Sequence, residues 1–142
     1  MNGQNIIGQP YRHNLIFNKK FIMKEVVEKW FDKVNGIEIV PTNITALNFG
    51  LFESDENYIL YLTGSEIYDE SDDDWATEID YEPKNKYVVL PDSKNRDWKE
   101  VQYEIENIIT GFINTESFQN SIFSKIKNIT VGFDNGDLKK IK

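Results

Sequence analysis

The run Asn43 to Thr63, NITALNFGLFESDENYILYLT, decides the fold. Its two halves, Asn43 to Glu53 and Asn57 to Thr63, are rich in β-branched and aromatic residues, and Ser54-Asp55-Glu56 separates them, so they read as an antiparallel hairpin. Side chains alternate across a strand, which puts Thr45, Leu47, Phe49 and Leu51 on one face and Ile44, Ala46, Asn48, Gly50 and Phe52 on the other. In the second half Tyr58, Leu60 and Leu62 oppose Ile59, Tyr61 and Thr63. Both faces carry apolar groups, as expected of central strands partly covered on each side.

Upstream, Met23, Val27, Trp30 and Val34 recur at helical spacing, supported by Ile22, Val26 and Phe31, and predict an amphipathic helix from about Lys19 to Val34. Asn35-Gly36 offers a left-handed stop, and Trp30 reads as a core residue. Downstream, Lys86 to Leu90, KYVVL, is a short strand closed by Pro91. Asp97 and Glu100 have the spacing of a capping box. In the helix that follows, Trp98, Val101, Ile105, Ile108 and Phe112 share one face, widened by Ile109 and Ile113. Phe118, Ile122 and Ile126 suggest one more short helix. Finally, Asn128 to Phe133 and Leu138 to Ile141 flank Asp134-Asn135-Gly136-Asp137, where Asn-Gly predicts a type I′ hairpin with positive φ at both central residues. The expected fold is α+β: a largely antiparallel sheet with two or three packed helices in a single domain, residues 19–142. Residues 1–18, with Gly3, Gly8 and Pro10, read as a flexible arm with a short strand at Asn14 to Phe17, and Met23 is a conceivable alternative start.

A chain of 142 residues with 39% hydrophobic side chains buries roughly two thirds of its unfolded surface and needs no staple. With no cysteine, a disulfide framework, a thiolate zinc site and a cysteine nucleophile are excluded. No signal-like segment opens the chain and no apolar run approaches the length of a membrane span, so a cytoplasmic location is expected. The net charge of −8 is local. Between Glu66 and Glu82 lie nine carboxylates and no Lys or Arg; removing those nine leaves 15 acids against 16 bases. Such a patch disfavours nucleic acid and membrane as partners and attracts basic protein surfaces.

Catalytic and cofactor motifs are absent. There is no Gly-x-Ser-x-Gly elbow and no phosphate-cradling glycine loop, and the one histidine, His13, lies in the arm beside Arg12. Asp72, Asp73 and Asp74 raise the question of a hard cation, but in a calcium loop counted from Asp72 the positions for the central glycine and the bidentate glutamate hold Thr77 and Pro83. No metal, no cofactor and no catalytic residue is expected. Recognition explains the segment more economically, because aromatic anchors ringed by charge concentrate interface energy. The candidate partner-binding residues are Tyr68, Asp69, Glu70, Asp72, Asp73, Asp74, Trp75, Glu78, Asp80 and Tyr81. The competing expectation for Trp75 is that it folds inward and pins the acidic loop to the domain.

The blocks FGLFESDENYILYLTGSEIYDESDDDWATEIDYEP (Phe49 to Pro83) and ITVGFDNGDL (Ile129 to Leu138), joined by the Trp98 helix, resemble those of small bacterial proteins encoded beside polymorphic or contact-dependent toxins and read as immunity proteins. The resemblance spans roughly Asn43 to Ile141. The Trp and Gly-rich loop expected of the SUKH immunity superfamily is missing, so that fold is not implied. The resemblance implies a non-enzymatic cytoplasmic protein that neutralises one cognate toxin domain, often a nuclease with a basic cleft. Two other readings stand beside it: a small enzyme or metal-dependent domain using carboxylates from Asp69 to Asp80, and an accessory subunit with an acidic docking loop.

Overall fold

The computed structural model describes residues 22–36 and 38–142. The expected arm, its strand, His13 and the start of the first helix at 19–21 lie outside the described residues. Within them the hairpin is the centre of a five-stranded sheet. Strands β1 (Ala46–Glu53) and β2 (Tyr58–Ser65) pair antiparallel with Ala46 opposite Ser65 and Glu53 opposite Tyr58. With β3 (Tyr87–Val89), β4 (Asn128–Phe133) and β5 (Lys139–Lys140), the strand order is β3-β2-β1-β4-β5. Three of these neighbours are antiparallel, but the central pair of β1 and β4 is parallel. The chain reaches β4 only after α2 (Trp98–Ile113) and α3 (Glu116–Gln119), a connection long enough to return it to the same end of the sheet. The fold is α+β with a mixed sheet.

Register fixes what each face carries. Leu47, Phe49 and Leu51 stand opposite Ile129, Val131 and Phe133 on one side and Gly64, Leu62 and Leu60 on the other, and these apolar residues are buried. Helix α1 (22–36) and α2 cover this first face. Phe31 is fully buried and packs edge-on against Phe49 at 5.3 Å and Phe112 at 5.0 Å, with Phe123 at 5.2 Å, so strand and both helices share one aromatic core. Trp30 is buried as expected, and its Nε1 donates to the Asn85 carbonyl at 2.8 Å.

Four sequence expectations are corrected. Gly36 has no positive φ; the end of α1 is closed instead by Glu38 N to the Val34 carbonyl at 3.0 Å. Asp97 occupies the N-cap of α2 without a side-chain capping bond, and Arg96 secures that end through Glu104 at 2.7 Å. Trp98 leaves the apolar stripe and is 47% exposed, because it stands at the open first turn. Asn135-Gly136 is no type I′ turn, since neither residue has positive φ. Its connection is longer than a two-residue hairpin: Val131 pairs with Lys139, Asp134 N bonds the Leu51 carbonyl at 3.0 Å and Gly136 N bonds Phe133 at 3.0 Å. The Asp134 bond carries the parallel pairing one residue into the turn, and the Gly136 bond closes a local turn over Phe133 to Gly136 in place of the type I′ hairpin.

Candidate partner-binding surface

The second face of the sheet begins, at the Ala46 end, with a polar layer. Asn48, Thr63, Ser65 and Thr130 are all buried there, and Thr130 Oγ1 donates to Asn48 Oδ1 at 2.9 Å. Buried polar groups need cover and partners. Both come from the acidic segment, which leaves β2 at Ser65 and crosses this face toward β5. Ser65 Oγ donates to the Glu78 carbonyl at 2.7 Å, and Trp75, on a short 3-10 helix Asp73–Thr77, is only 5% exposed. Its ring meets Tyr68 edge-on at 5.1 Å. Lys140, on the far edge strand, lies 5.2 Å from the Tyr68 centroid and 3.6 Å from Glu70, while Asp73 Oδ2 accepts Leu138 N at 3.0 Å. The segment is therefore a strap held at both sides of the sheet.

Trp75 is the pin, not an exposed anchor. Tyr81 is also buried, and it lies on the other side of the sheet: a Cβ added at Gly64, on the core face, would sit 3.1 Å from the Tyr81 ring, and its hydroxyl donates to Glu38 Oε1 at 3.0 Å. Burial first, then Glu38, raises the Tyr81 pKa above the ordinary tyrosine range. The strap thus brings together Tyr68 and Trp75 but not Tyr81.

The remaining candidates face solvent. All nine carboxylates from Glu66 to Glu82 are exposed. Several are used locally to set the backbone. Asp72 Oδ1 accepts Asp74 N at 2.9 Å and caps the 3-10 helix, Asp80 Oδ2 accepts Glu66 N at 2.8 Å, and Asp69 Oδ1 accepts both Ser71 N and Ser71 Oγ. Those Ser71 bonds hold the Asp69 carboxyl below its usual pKa, the direction opposite to that of a general acid. Asp74 and Glu78 carboxylates take no hydrogen bond or ion pair among the described residues. Local bonding to backbone and pinning by Trp75 leave the charges on a surface of defined shape.

Beyond the strap, the second face turns aromatic, which the sequence reading missed. The Tyr61 ring lies across Gly50, where an added Cβ would sit 2.0 Å from its Cζ, and Tyr61 donates to Asp134. Burial, then Asp134, raises the Tyr61 pKa well above the tyrosine range. Phe52 and Tyr87 meet Tyr61 at 6.0 and 6.1 Å, and Tyr87 and Val89 are half-exposed on the edge strand. The signal was present in the alternation of Ile59, Tyr61 and Thr63 with KYVVL beside them. Round the end of β1 this patch passes into a cleft of about 540 Å³ bounded by Trp98 and the Asp134 turn.

No family model, curated protein or solved structure matches this chain. Among the described residues no group of three or more His, Asp or Glu side chains is arranged to hold a metal ion, and no helix is long and apolar enough to cross a membrane. The strap and the aromatic end of the same face are the features with the chemistry of a docking surface.

Proposed function

We propose that this chain is a non-enzymatic immunity protein that works in the cytoplasm, binding and neutralising a cognate bacterial toxin domain, a nuclease with a basic cleft. The observation that supports this reading is the pinned strap: nine exposed carboxylates with no interleaved base, fixed on a sheet face by the burial of Trp75. Fixed charge of one sign accelerates encounter with a basic surface and sets its register. Affinity then comes from apolar groups beside it, for which Phe52, Tyr87 and Val89 are placed. Such a surface stands where the phosphates of a nucleic acid would lie in a basic cleft.

The test is co-purification and surface-binding kinetics with the proposed cognate toxin domain. Wild type is expected to bind. Changing Asp74 and Glu78 to their amides, which disturbs no internal bond among the described residues, is expected to slow association severalfold at low salt, with the difference shrinking above roughly 0.5 M salt as the charges are screened. Unchanged association in the folded variant would remove the strap from the interface.

A further inference from the structure

The cleft at the end of the parallel pair was not part of any sequence expectation. Its walls are the C-terminal ends of β1 and β4 and the first turn of α2. Phe52, Tyr58, Phe133 and Trp98 supply aromatic surface, and Glu53 and Asp134 supply exposed carboxylates at its mouth. Trp98 packs edge-on to Phe133 at 5.7 Å, and Phe133 edge-on to Tyr58 at 5.5 Å, so the aromatic wall is continuous and braced. The Tyr58 hydroxyl donates to the Arg96 carbonyl at 2.9 Å, fixing that ring to the turn before α2. Neither Glu53 nor Asp134 has an ion-pair partner among the described residues.

Aromatic faces and carboxylates free of ion pairs around one cavity recognise a cation with an apolar stem: the rings attract it through their quadrupoles and cover its methylenes, and its N–H groups go to Glu53 and to the Asp134 carboxylate, whose Oδ1 also accepts the Tyr61 hydroxyl. A volume of about 540 Å³ admits such a side chain with room for a neighbouring residue. Lys99 stands 5.6 Å from the Trp98 centroid, so one cation already associates with this ring. Burial first, then the negative charges of Glu53 and Asp97, raises the pKa of Tyr58 in this wall. The Asp134 wall also belongs to the turn that Asp73 holds through Leu138 N, so cleft and acidic strap are mechanically joined.

We propose that this cleft receives a basic side chain, an arginine or a lysine, offered by the protein partner of the strap. The partner's identity rests on the immunity reading above; the ligand chemistry does not. Two arms keep them apart. In the first, the chain alone is titrated with N-acetyl-arginine amide while the Trp98 indole N–H resonance is followed. A saturable shift with a millimolar midpoint is expected, at least fivefold weaker in Glu53→Gln and in Asp134→Asn, and absent with N-acetyl-norleucine amide. No saturable shift, or an equal shift with the uncharged probe, overturns the cationic ligand. In the second arm the toxin domain replaces the probe. Glu53→Gln with Trp98→Ala is expected to raise Kd at least tenfold, and Glu53→Gln alone to give part of that loss if the double variant unfolds. Wild-type toxin affinity in a folded variant that has lost arginine binding overturns the assignment to the partner. A wild-type chain that binds the arginine probe but no toxin refutes the immunity reading and, with it, the partner as source of the cation.

Discussion

Replacing Trp75 by alanine tests whether one buried ring holds the strap. The indole is 5% exposed and packs on Tyr68, yet it sits outside the aromatic core around Phe31. Removing a buried Trp or Phe side chain costs about 3–5 kcal/mol, and a site that can collapse falls at the lower end. The strap keeps its other ties, from Ser65 to Glu78, Asp80 to Glu66 and Asp73 to Leu138. We therefore expect a global loss of about 3 kcal/mol, which leaves a typical domain of 5–15 kcal/mol folded. With a urea m-value of about 2 kcal/mol/M the midpoint falls by roughly 1.5 M. Urea unfolding by circular dichroism measures that shift, and amide exchange should show faster opening across Glu66 to Asp80 than in β1. Trp75→Phe should lose about half as much. A midpoint lowered by less than about 0.3 M, with exchange in the strap unchanged, would mean that the ring does not pin it.

Three further outcomes follow from the geometry. Tyr58, Tyr61 and Tyr81 all have raised pKa values, so above the ordinary tyrosine pKa near 10 the unfolded chain loses protons that the native one keeps; stability should be fully present below pH 10 and fall as pH rises beyond it, measurable as a declining urea midpoint, and a flat midpoint from pH 9 to 11.5 would contradict this. Gly50→Ala must push the Tyr61 ring off its bond to Asp134, at a cost of about 1–3 kcal/mol, and should return the Tyr61 ionisation toward normal in an ultraviolet titration; a native-like titration would refute the contact. Asp69 should titrate below the usual carboxylate value near 3.8 by carboxyl-carbon resonance, and Ser71→Ala should raise its midpoint; its small contribution to stability is present above that value and lost as pH falls through the native midpoint, and an unmoved midpoint in Ser71→Ala would rule out the Ser71 bonds as the cause.

The hairpin, the α2 stripe and the alternation of Leu47, Phe49 and Leu51 were legible because period and burial coincide in them. The parallel pairing of β1 with β4 was not, since strand neighbours more than 70 residues apart leave no local mark. Local turn rules failed at both glycine stops: the Asp134 turn answers to Leu51 and Asp73, while the end of α1 is closed by one more helical bond, Glu38 N to the Val34 carbonyl, with no left-handed residue among those described. In the candidate surface, composition located the charge correctly but could not divide its aromatics. Trp75 and Tyr81 sit in similar sequence surroundings, yet one covers the second face and the other enters the core, because Tyr81 bridges back to Gly64 after the strap has returned to the sheet. Trp98 was misplaced for a related reason: helical period assigns a residue to a stripe but does not say that the first turn overhangs the sheet's end.

The central claim is that a pinned acidic strap docks a basic toxin domain. Its most direct test is calorimetric titration of the proposed cognate toxin domain into wild type and into the Asp74→Asn, Glu78→Gln variant at low and at high salt. Tight binding by wild type, weakened in the variant at low salt and converging with it at high salt, is the expected result. Equal affinity of both proteins at low salt, or no binding by wild type, would contradict the account.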